Sequence, residues 1–151
     1  MTKFREPRAL PTTRALLTIT CFEFFGPIGR DTNWTHLLNP TWPGHARIHL
    51  VWFLALIFLS GLANLYLIWF RRPRDLRDLW LSVYWQAANL GSFWIACLLS
   101  PLYGGVITLP DTHVQILGID ENVFVFAILS AILAAAVASL RGAKGGSYDA
   151  R

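Results

Sequence analysis

The sequence predicts an all-α integral membrane protein, a four-helix bundle running up-down-up-down through the bilayer. Three observations carry this. Charged residues make up only 15% of the 151, against 54% hydrophobic, where a soluble domain carries roughly 25% charged. The apolar residues collect into four runs, each near the roughly 20 residues that cross the hydrocarbon core. Lysine and arginine, finally, divide between alternate connections. Mean hydropathy is +0.44.

The first run, about 11–29, is interrupted by Arg14 and Glu23. A signal peptide is the competing reading, but Glu23 falls in its apolar centre and no A-x-A cleavage site follows. The second run, about 47–70, and the third, about 79–102, are long and aromatic, and the fourth, about 118–140, is rich in alanine. Backbone groups in lipid must be satisfied internally, so each run is read as a helix. Ser130, Ala134 and Ala138 recur at a small-xxx-small interval, which predicts a close-packing face on the last helix. The whole chain reads as a single membrane domain, with short connections that favour antiparallel neighbours.

Orientation follows from the basic residues. Lys3, Arg5, Arg8 and Arg14 precede or open the first run, Arg71 to Arg77 contributes four arginines, and the tail adds Arg141, Lys144 and Arg151. The other two connections hold only Arg30 and Arg47. Positive charge stays inside, which places both termini in the cytoplasm and the loop after the first run on the opposite side. The net charge of +4 is therefore a topology signal, and it argues against a nucleic-acid partner. Cys21 and Cys97 lie in apolar runs without CxxC spacing, as small packing residues do. That spacing argues against a membrane thiol oxidoreductase.

Polar residues inside the runs sort into two layers. Asn64, Gln86 and Asn89 form an inner layer, either interhelical amide bonding or the floor of a cavity. The outer layer gathers Glu23, Asp31, His36, His45 and His49, with Asp111, His113, Asp120 and Glu121 opposite. Ionisable groups at membrane depth mark a functional site by default. His45 and His49 are four apart on one helix face, which continues through Phe53, Leu56, Ser60 and Asn64 and so is expected to turn into the bundle.

The expected chemistry is proton transfer on a lipophilic substrate: isomerisation, cyclisation or epoxide opening, with no cofactor. His45 and His49 form the predicted acid–base pair, Glu23 or Asp31 the carboxylate partner, and His36 closes the mouth. Trp42, Phe53, Asn64, Gln86, Asn89 and Trp94 are the expected substrate-contacting residues. Two alternatives stand beside this reading. H-x-x-x-H on a helix can hold one metal ion; the prediction here is that none is bound. The chain could also be a non-enzymatic subunit of a larger membrane complex, its tryptophans facing partners.

The run Asp31-Thr-Asn-Trp-Thr-His36, followed by Asn39-Pro-Thr-Trp-Pro-Gly-His45-Ala-Arg-Ile-His49, resembles a pattern in small four-helix membrane proteins of bacteria and fungi. That pattern reads roughly N-x-T-H, then N-P-x-W-P-P-H-A-R-F-H. Here Gly44 replaces the second proline and Ile48 the phenylalanine. The resemblance implies the four-span layout and a loop that works as one unit with the helix start. It names no reaction.

Overall fold

A computed structural model describes residues 9–71, 75–107 and 114–145 of the chain. They are mostly helical and form four rods, so the all-α class holds. The first rod is broken into α1 (Ala9–Thr20) and α2 (Phe22–Asp31). The second is α3 (Gly44–Leu65), extended by a π-helical turn over Tyr66–Phe70. The third is α4 (Leu76–Tyr103). A two-stranded hairpin, β1 (Gln115–Ile116) and β2 (Ile119–Asp120), leads into the last rod, α5 (Glu121–Gly145).

Local chemistry explains the ends. The Asp75 side chain accepts the Arg77 N–H at 2.9 Å and caps α4, and Arg71 pairs with Asp78 at 2.9 Å one turn further in. Gly104, at φ 69°, closes α4 in the left-handed conformation that costs glycine nothing. Leu117 and Gly118 both take positive φ, 55° and 79°, which is the geometry of a tight two-residue hairpin turn. Asp120 then caps α5 by accepting the Asn122 N–H at 2.9 Å. The predicted fourth helix began at Gly118; the hairpin occupies that place and α5 starts three residues later.

The break in the first rod was not predicted. At Cys21 the helix tightens: the Phe24 N–H reaches the Cys21 carbonyl at 3.0 Å, three residues back rather than four. Pro27, inside α2, has no N–H to give the Glu23 carbonyl. The consequence is a change of partner. α1 lies along α5, whereas α2 lies on α3. α4 packs on α5 and on the π-helical turn. Gly61 makes the α2–α3 approach possible, because a Cβ there would sit 2.5 Å from the Phe25 ring.

The core is apolar, built around Leu17, Phe24, Ile57, Val83 and Leu140, with polar groups buried within it and large apolar side chains also displayed outside. Thr13, Thr20, Asn64, Ser82 and Gln86 are fully buried, while Ile48, Trp52, Leu56 and Leu59 on α3 are each more than half exposed. Among the described residues, two helices are long and apolar enough to cross a membrane. They are Gly44–Phe70, mean hydropathy 2.1, and Glu121–Ala143, mean hydropathy 2.7. One expectation needs correcting. The face of α5 that packs is Leu129, Leu133, Ala136, Leu140 and Ala143. Ser130, Ala134 and Ala138 instead line an open groove between α4 and α5.

Candidate functional site

Because α2 turns away from α5 while α4 stays with it, a gap opens between the rods. It is a cavity of about 630 Å³ bounded by α2, α3, α4, α5 and the hairpin. Its apolar wall includes four rings, Phe22 from α2, Phe53 from α3, and Phe93 stacked on Phe126 at 3.9 Å between ring centres, beside the aliphatic Ile57, Val125 and Leu129. Its volume lies within the range of small-molecule sites.

Glu23 is the polar centre of this cavity. It is 1% exposed, and neither carboxyl oxygen has a hydrogen-bond partner among the described residues. Asn89 on α4 faces it without closing a hydrogen bond of ordinary geometry. Buried polar atoms are nearly always partnered, so an orphaned carboxyl in a cavity wall is a strong signal.

The remaining charges sit toward the far end of α2, about 12 Å away by helical rise from Glu23 to Asp31. Arg30 is ion-paired with Glu121 at the start of α5. Asp31 lines the cavity beside His36. Burial pushes its carboxyl above the ordinary value, and the nearby His36 and Arg30 pull it back.

The loop from Thr32 to Pro43 fixes His36 by two copies of one device. Asn33 Oδ1 accepts from the N–H and the hydroxyl of Thr35, at 2.9 and 2.6 Å. Asn39 Oδ1 does the same for Thr41, at 3.0 and 2.8 Å. These are side-chain turns of the kind asparagine favours. The same Thr35 hydroxyl lies 2.8 Å from His36 Nδ1, which orients the ring and leaves Nε2 for other partners. Trp42 packs edge-on against the same ring at 5.6 Å, outside the cavity. Arg47 ties the loop to α3 through the Asn39 carbonyl at 2.7 Å. The N-x-T-H and N-P-x-W segments are thus the frame that presents His36.

Other predicted residues fall elsewhere. His45 and His49 are exposed, 3.0 Å apart Nε2 to Nε2, with Trp52 stacked on His49. They do not line the cavity, because the first turns of α3 stand clear of any rod that would cover that face. Phe53 does line it. No group of three metal-ligating side chains occurs among the described residues. Asp111 and His113 lie outside the described residues, as do Lys3, Arg5, Arg8, Arg72, Arg74 and Arg151.

The inner layer also divides. Asn64 and Gln86 belong to a buried chain of hydrogen bonds: Ser82 Oγ donates to Asn64 Oδ1 at 2.7 Å, and Gln86 Nε2 to Ser82 Oγ at 3.0 Å and to the Leu17 carbonyl at 3.2 Å. Thr20 donates to Gln86 Oε1. Asn89, three residues on, turns to the cavity instead. Trp94 donates to Ser130 at 3.1 Å, tying α4 to α5 beside the groove. Ser92 and Asn122 also line the cavity and were not singled out from sequence. Ser92 follows Asn89 by three, a spacing that puts both on one helix face. No family model, curated protein or solved structure matches this chain.

Proposed function

We propose that this chain is a four-span integral membrane protein, with both termini cytoplasmic, that works by proton transfer on a lipophilic molecule held in the outer cavity. Support for the bilayer comes from the apolar exterior: a stripe of Ile48, Trp52, Leu56 and Leu59 lies outside an already apolar core, while amides and hydroxyls are hydrogen-bonded inside. An apolar stripe of that extent facing water would be a large liability, and facing lipid it is ordinary. The basic residues of the termini and of the Arg71–Arg77 connection set the orientation.

The observation that carries the reaction is the orphaned carboxyl of Glu23 among the residues that line the cavity. Glu23 exchanges a proton with the substrate at the deep end of the cavity. His36 is the second proton-transfer group, acting through Nε2 at the mouth, with Asp31 beside it to stabilise the imidazolium. A proton added at one end and removed at the other performs an isomerisation or a cyclisation with no net change in oxidation state. His45 and His49 take no part in this reading.

The test uses the purified protein in lipid bilayers made from the total lipid extract of its source, in heavy water. A lipophilic species should gain deuterium or change retention with the wild-type chain, and not with Glu23→Gln. Identical extracts with and without protein would refute the proposal. A second reading, a non-enzymatic subunit of a larger membrane complex, has one observation in its favour. The groove between α4 and α5 is lined by Ala87, Gly91, Ala134 and Ala138, which is the surface a partner helix packs against most closely.

A further inference from the structure

The charges around the cavity do not balance, and the imbalance describes the ligand. Arg30 is taken up by Glu121, and His36 stands against Asp31. Glu23 alone has no countercharge among the described residues, and only the Asn89 amide faces it, without a hydrogen bond of ordinary geometry, although the side chain is almost wholly buried. A carboxyl buried without a countercharge stays protonated and neutral until a base takes its proton, so a ligand amine that accepts that proton completes an ion pair that the chain alone does not supply. The same cavity is lined by the rings of Phe22, Phe53, Phe93 and Phe126, whose faces take an apolar body or a cation.

The geometry points to a lipophilic amine as the ligand class of this cavity, its ammonium group on the Glu23 carboxylate with Asn89 beside it, and its apolar body against the aromatic wall. This rests on the cavity being a site for lipophilic molecules, as proposed above, and adds the charge of what binds. A hydroxyl could satisfy one carboxyl oxygen, but it brings no charge to a wall whose uncompensated group is acidic. An acid would place like charges together.

Three probes of one shape separate these cases: 4-octylbenzylamine, 4-octylbenzyl alcohol and 4-octylbenzoate, each measured for saturable binding to the full chain in detergent micelles. Hydrogen bonds to charged groups exceed neutral ones enough to favour the amine over the alcohol by about tenfold, and the benzoate should bind weakest. Glu23→Gln should bring the amine down to the level of the alcohol without weakening the alcohol. Ala96→Trp, which fills the cavity, should abolish saturable binding of both. If Glu23→Gln fails to fold, the wild-type ranking decides alone. Equal binding of amine and alcohol, or stronger binding of the alcohol, overturns the amine inference and leaves the cavity reading standing. No saturable binding of any probe overturns both.

Discussion

Replacing Gln86 with alanine should destabilise the bundle by about 2 kcal/mol, from two interhelical hydrogen bonds and one within α4, at about 0.6 kcal/mol each in a membrane setting. The bonds are those of Nε2 to the Leu17 carbonyl and Ser82 Oγ, and of Oε1 from Thr20. The loss stays near this figure because the former partners keep other bonds. Thr20 Oγ1 retains the Leu16 and Leu17 carbonyls at 3.3 and 3.1 Å, and Ser82 retains Asn64 at 2.7 Å. The void left by truncation adds to the loss, since Gln86 is fully buried. Gln86→Leu, which fills that void, should therefore cost less than Gln86→Ala. Asn89→Ala is the control, because Asn89 faces the cavity and should cost under about 0.5 kcal/mol, as substitutions outside packed networks do. Reversible unfolding in mixed micelles, followed by circular dichroism, measures all three. Equal losses for Gln86→Ala and Asn89→Ala would refute the division of the amides between a structural chain and a cavity.

Burial holds the Asp31 proton more tightly in the folded chain than in the unfolded one. The fold therefore loses stability as pH rises through the ordinary carboxylate range, and Asp31→Asn should raise Tm at pH 7 and leave it unchanged at pH 3; a lowered Tm at pH 7 would mean that the pairing with His36 outweighs desolvation. Gly61→Leu should push the Phe25 ring off α3 and destabilise by about 1–3 kcal/mol, an overpacking cost, and Phe25→Ala in the same background should recover part of it, measured by the same unfolding assay. A cysteine at Leu38 should react with an impermeant thiol reagent applied to intact cells while one at Asp75 is protected; the opposite pattern would reverse the proposed orientation.

What the sequence discloses depends on how local the cause is. The helices follow the four apolar runs, since their cause is each residue's own polarity. Glu23 was visible as a charge in an apolar run, and Asp31 and His36 as members of a polar loop. The cavity was not visible, because it follows from the change of partner between α1 and α2: Pro27 was legible in the sequence, but nothing at Cys21 itself marks the break, and which rod α2 then meets is a tertiary fact. The hairpin was missed for a similar reason: Leu117-Gly118 is not an Asn-Gly or Asp-Gly pair, and Leu117 takes positive φ without a side chain that favours it. His45 and His49 show the limit of periodicity. Their spacing correctly puts them on one face, with ring centres 4.6 Å apart, but whether a neighbouring rod reaches the first turns of α3 is a tertiary fact. Gln86 and Asn89 show the same limit, being three apart on one helix yet serving different neighbours.

The central claim is that the chemistry belongs to the cavity around Glu23 and not to the histidine pair on α3. Deuterium incorporation from heavy water into the source lipid extract, compared for the wild type, the His45→Ala, His49→Ala double variant and Glu23→Gln, tests it most directly. Incorporation in the double variant should equal that of the wild type and should vanish in Glu23→Gln; loss in the double variant with activity retained in Glu23→Gln would place the chemistry on the histidine pair instead.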